Sequence, residues 1–278
     1  MRSIYFKILN SSIKSVLLFI AVAVLVSLSF FYAISAIPEA VPLLPEGGFL
    51  RLSVMGITLS AFITAFIVNG KKGVKKIRKR IKPHKKHLKY YSAPLVIMLM
   101  AGASLFFVGH SFLHFVNYTL HHALSFLFSF IVSFLIVGMG EEIGWRGFVL
   151  PKLMERFSPF VSTLIIIPIW YAFHLPKIID WSDSLHYYIN LFAGIISMGF
   201  LFTLIFIRFR EDVFLIALLH ASYNVTIDWF HAYYADTHLD MESFGRFWST
   251  FVALFASMTL AYFVLNWKSW KKIRYLIH

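Results

Sequence analysis

Three short segments place ionisable or polar side chains inside long apolar stretches. The first, Gly140–Leu153, reads GEEIGWRGFVLPKL; the second, Ile169–Pro176, reads IWYAFHLP; the third, Leu218–Trp229, reads LLHASYNVTIDW. A charge near the centre of a bilayer costs several kcal/mol, so such residues mark function more often than they mark stability. Glu142 and Arg146 are four residues apart in the order that favours a helical ion pair. Glu141 points about 100° away from Glu142 and can meet a different partner. His220, Asn224 and Asp228 step by four along one stripe, and His174 lies one turn after Trp170. Each segment alone has a bland reading: interfacial glutamates balanced by an arginine, a hydrogen-bonded core histidine, or helix–helix glue at about 1 kcal/mol per contact. Taken together they converge on one chemistry. A carboxylate base, an imidazole that positions or shares the proton, and donors for an oxyanion make a water-activating site.

Other chemistries find less support. The chain has no cysteine, which excludes disulfides, thiolate metal sites and a Cys nucleophile. It contains no HExxH, no GxSxG and no intramembrane Ser–Lys pair, which disfavours the zinc and serine hydrolase classes.

The elements that must hold these residues are membrane helices. Of 278 residues, 59% are hydrophobic and only 14% charged, against roughly a quarter charged in a soluble domain. Apolar segments run over 15–36, 50–69, 93–113, 119–140, 158–175, 186–207, 213–230 and 247–266. Several approach the roughly 20 residues that cross a bilayer as a helix. The expected architecture is all-α: a single integral membrane domain, 1–278, of about eight transmembrane helices. Arg2, Lys7 and Lys14 ahead of the first segment resemble a signal peptide, but its apolar run is longer than the roughly 7–15 residues of one, so it reads as a span.

Charge fixes the expected orientation. Eleven of the 26 Lys and Arg lie between Lys71 and Lys89. If that block is cytoplasmic, alternation puts Arg146, Lys152 and Arg156, then Arg208 and Arg210, then Lys268 to Arg274 on the same side. The opposite loops hold Glu39 and Glu46, then Lys177, Asp180 and Asp183, then Asp236, Asp240, Glu242 and Arg246, so that Lys and Arg fall overwhelmingly on one side. This asymmetry is the positive-inside pattern, and it puts both termini in the cytoplasm. A basic block beside a span points to anionic lipid rather than to nucleic acid.

Several smaller features have structural readings. Tyr90, Tyr91, Trp229, Phe230, Trp267 and Trp270 fall where interfacial anchors belong. Pro38–Gly48 reads as an exterior turn. His110, His114, His121 and His122 cluster at the exterior ends of two spans, with His186 and His231 on the same side. The i,i+4 spacing of His110 and His114 would suit a metal, though no paired carboxylate is near.

At the polar segments the sequence resembles the CAAX prenyl protease and bacteriocin-processing family of eight-helix membrane proteins, which includes type II CAAX endopeptidases. That family carries EExxxR, FxxxH and HxxxN on successive helices. Here these are Glu141 to Arg146, Trp170 to His174, and His220 to Asn224, with Trp170 standing where Phe is usual. The resemblance covers a peptidase-like core of about 120–230. It implies that Glu141 is the base that activates water and that His174 holds the water. His220 and Asn224 would stabilise the oxyanion, with Glu142 and Arg146 as a supporting pair. It implies no cofactor and no metal, although Glu141, His174 and His220 form a donor set that could hold zinc. The implied activity is endopeptidase cleavage of a membrane-associated peptide or protein, of the CAAX type or the leader and pheromone type. The alternatives are a non-catalytic immunity or scaffold protein of the same fold, and a transporter. The compact, loop-poor chain and its basic cytoplasmic face point to a bacterial plasma membrane.

Overall fold

The computed structural model describes residues 12–35, 48–108, 112–174, 185–236 and 241–265. These form an all-helical polytopic membrane protein, with no strand among the described residues. In chain order the helices are α1 Ser12–Ser35, α2 Gly48–Arg80, α3 Pro94–Phe107 after a 3-10 stretch Lys85–Ser92, and α4 Phe112–His121. Next come α5 Ala123–Met154, α6 Pro159–Ala172, α7 Leu185–Arg208, α8 Val213–Asp236 and α9 Met241–Leu265.

Among the described residues seven helical segments are long and apolar enough to cross a bilayer: α1, α2, Lys85–Phe107, α5, α7, α8 and α9. The fifth apolar segment of the sequence, expected over 158–175, is the short helix α6 of 14 residues. At about 1.5 Å per residue it covers only part of a core roughly 30 Å thick. Ser158 caps its start by accepting from the Val161 N–H, and Pro168 removes a donor within it. The third segment, expected to run to 113, divides into α3 and a separate α4. The fourth extends well past 140, to Met154.

α5 changes environment along its length. Leu124 (84% exposed) and Phe128 face outward like other lipid-contacting residues, whereas residues 140–150 are all buried. The helix therefore passes from the periphery to the centre of the bundle, which carries its charged residues into protein rather than lipid. Two π-helical stretches, Ser133–Gly138 and Trp145–Val149, bracket the glutamates. Such stretches insert a residue into the turn and often occur at functional sites.

α2 breaks at Gly70, whose φ of 59° is left-handed and open to glycine at little cost. The basic residues from Lys71 to Arg80 therefore leave the axis of the span. The aromatic anchors divide in the structure. Phe230 is buried, stacked at 3.8 Å on Phe115 and at 4.1 Å on Phe247, so it is a core residue rather than the expected interfacial anchor. Its ring is drawn inward because α4 and α9 close over that face of α8. Trp229 is half-buried and its indole reaches Thr119 at 3.3 Å. Trp267, Trp270, the turn 38–48 except its last residue, and His110 lie outside the described residues.

Candidate active site

The site forms where α5 and α8 cross closely. A Cβ on Gly138 would stand 2.4 Å from the Ala217 carbonyl oxygen, so only glycine permits this approach. One turn further along each helix stand Glu142 and His220. Side chains on a helix lean toward its N-terminus, so both reach back toward the crossing and meet there. His220 Nδ1 lies 2.8 Å from Glu142 Oε1.

Glu142 Oε1 also accepts from Arg146 Nη1 at 2.9 Å, the i,i+4 pair that the spacing suggests. Both members are essentially inaccessible, at 0% and 1% exposure. The Arg146 guanidinium lies between two aromatic faces, with its central carbon 4.5 Å from the Trp170 ring and 5.1 Å from the Phe202 ring. Such contacts compensate in part for the water that a buried guanidinium loses.

Glu141, on the next face of α5, is also buried and points to a different partner. Its Oε2 accepts the indole N–H of Trp170 from α6. Thr58 of α2 donates to the carbonyl of Gly140 at 2.7 Å and lies 3.2 Å from that of Met139, satisfying backbone groups just ahead of the glutamates. The carboxylates are thus engaged from α6 and α8, and the backbone just ahead of them from α2.

His174 lies two residues past the end of α6 and is half-buried. Its Nδ1 is 2.9 Å from the Trp170 carbonyl oxygen. A carbonyl only accepts, so Nδ1 carries the proton and Nε2 is the acceptor edge of the neutral ring. The His174 ring, just past α6, and the His220 ring, on α8, lie 6.3 Å and 5.6 Å from the Trp170 ring. Asn224 is half-buried on the His220 stripe, and its side chain makes no hydrogen bond with the described residues.

Among the described residues no group of three His, Asp or Glu side chains could hold a metal ion. Glu141, His174 and His220, the donor set that could hold zinc, are not brought together as such a group. On the other side of the bundle His114 and His121 are exposed, and His122 Nδ1 meets the Tyr118 carbonyl at 3.0 Å.

Three contributors are not evident from motifs. Trp170 is one: the FxxxH pattern treats its position as an aromatic, whereas its N–H is the group that engages Glu141. Phe202, on α7, has no local signal and reaches Arg146 only through packing. Arg80 donates to the Gly147 carbonyl at 2.9 Å, and that contact does have a sequence signal. Pro151, four residues after Gly147, lacks the N–H that would close an α-helical turn onto that carbonyl.

Comparison with known proteins identifies the segment that contains this site. Residues 123–226 match the family model described as type II CAAX prenyl endopeptidase Rce1-like, a stretch that includes all six residues from Glu141 to Asn224 discussed above. The chain is also similar to CAAX prenyl protease 2 of Methanococcus maripaludis, at 27% identity over 99 residues. That similarity covers 33% of this chain and 36% of the relative's length. Both findings bear out the family resemblance of the three motifs.

Proposed function

We propose that this membrane protein, similar over residues 123–226 to type II CAAX prenyl endopeptidases, is an intramembrane endopeptidase that uses a glutamate-activated water. The observation that carries the reading is the pair of adjacent buried carboxylates, each engaged by a different neighbouring helix: Glu141 by Trp170 and Glu142 by His220.

In this reading Glu141 takes a proton from water held by the acceptor edge of His174. The hydroxide attacks the peptide carbonyl carbon, and the resulting oxyanion is held by His220 and Asn224. Glu141 then returns the proton to the leaving amine as the C–N bond breaks. Glu142 has a defined part in this scheme. A doubly protonated His220 donates from both ring nitrogens. With Nδ1 directed at Glu142, its Nε2–H can face the oxyanion. Arg146 balances Glu142 in turn. No step requires a metal or a cofactor.

The peptidase-like core is about 120–230, within a single membrane domain whose termini both lie in the cytoplasm of a bacterial cell. The substrate is a membrane-associated peptide or protein, either prenylated at a C-terminal CAAX sequence or bearing a leader. The test compares the peptide termini of membrane and secreted proteins in source cells that carry the wild type or Glu141→Ala. Loss of specific termini in the variant supports the reading; identical termini would point to an immunity or scaffold role. Abolition of the Glu141-dependent cleavage by chelators would overturn the metal-free mechanism.

A further inference from the structure

The basic run from Lys71 to Lys89 takes no part in the chemistry, yet it is a built surface. After the break at Gly70 the helix continues to Arg80 with Ile77 buried and Val74 and Ile81 half-buried against the bundle. Lys71, Lys72, Lys75, Lys76, Arg78 and Lys79 are exposed. The stretch that follows presents Leu88, 72% exposed, together with Tyr90.

This segment is pinned at two places. Arg80 bridges Glu211, at 2.8 Å from its Nε, and the Gly147 carbonyl, at 2.9 Å from Nη1. His87 Nδ1 and the Tyr91 hydroxyl meet Asp212 Oδ2 at 2.6 Å and 3.0 Å. Asp212 Oδ1 in turn accepts the Leu215 N–H at the start of α8. A charge block that only orients a chain in the membrane needs no such tethers. Here one tether ends on Gly147, next to Arg146, and the other on the N-terminus of the helix that carries His220.

We propose that residues 71–89 form a docking surface for the headgroups of anionic lipids, and that Arg80 transmits its seating to α5 through the Gly147 carbonyl. The occupant follows from charge and level. The surface begins where an apolar span ends, so it lies among headgroups. Its exposed cations suit phosphate, and its exposed Leu88 and Tyr90 suit the interface beside them. The docking half is independent of the peptidase reading.

The test is hydrogen exchange on the full chain in nanodiscs of phosphatidylcholine alone or mixed with phosphatidylglycerol. Amides of 71–92 should exchange at least about tenfold more slowly in the mixed lipid. Changing Lys71, Lys72, Lys75 and Lys76 together to Gln should abolish that difference, since each cation near an anionic surface contributes about fivefold. Arg80→Gln should keep the lipid effect on 71–79 but lose it on the amides that follow Gly147. Pro151→Ala, which supplies a competing N–H, should weaken that transmission without removing a charge. Equal exchange in the two lipids would overturn the docking surface. Equal protection by soluble polyphosphate in phosphatidylcholine alone would overturn the lipid assignment. A lipid effect after Gly147 that survives both Arg80→Gln and Pro151→Ala would overturn the coupling.

Discussion

Trp170 donates its indole N–H to the carboxylate of Glu141. The same ring offers its face to Arg146, whose guanidinium carbon is 4.5 Å from the centroid. Arg146 pairs with Glu142, and Glu142 with His220. One indole therefore connects the proposed base to the ion pair behind the proposed oxyanion site. Its edge serves one partner and its face the other.

Trp170→Phe separates those two roles, because it removes the donor and keeps an aromatic face. A hydrogen bond to a charged group contributes about 1.5–3 kcal/mol, so the turnover number should fall about ten- to a hundredfold. Trp170 acts through Glu141, so KM should change little. Trp170→Leu also removes the face and should lower thermal stability in detergent as well. A turnover number unchanged in Trp170→Phe, measured with a peptide that wild-type protein cleaves, would remove Trp170 from the positioning of Glu141.

Much of this site is legible in the sequence because helical spacing is local. The pairing of Glu142 with Arg146 and the divergence of Glu141 follow from 3.6 residues per turn. What spacing cannot give is which helix faces each side chain. That Glu142 also meets His220 depends on the closeness of α5 and α8 at Gly138, a tertiary fact. Phe230 shows the same limit: an aromatic near a span end reads as an anchor until α4 and α9 are known to cover it. Hydropathy makes the short α6 look like a full span, because it does not register where a helix ends.

The buried pair of Glu142 and Arg146 should behave asymmetrically. Removing one member leaves an uncompensated buried charge and costs about 3–5 kcal/mol, whereas replacing both by apolar groups can be nearly neutral. Glu142→Ala and Arg146→Met should each lower the thermal midpoint strongly, and the double variant should recover much of that loss. The double variant should nonetheless remain impaired in turnover, because His220 loses its acceptor. Additive midpoints in the three variants would show that the pair is not coupled.

Glycine substitutions test the crossing of α5 and α8. Gly138→Ala would put a Cβ 2.4 Å from the Ala217 carbonyl oxygen, which is backbone and can yield only if α8 moves. That movement pulls His220 away from Glu142, so both stability and turnover should drop. Gly144→Ala meets Ile57 Cγ2 at 2.3 Å, a methyl fixed on a branched Cβ, with the Ile57 carbonyl oxygen at 3.3 Å. Here α2 must give way, but its backbone is less close than that of α8 at Gly138, so the cost should be large yet smaller. Gly245 in α9 has open space around its Cβ position. Gly245→Ala should therefore be neutral or stabilising by up to about 1 kcal/mol through helix propensity. Thermal midpoints in the order Gly245→Ala, Gly144→Ala, Gly138→Ala, from highest to lowest, are the expected result. A Gly138→Ala protein as stable and active as wild type would mean that the α5–α8 approach does not hold the site.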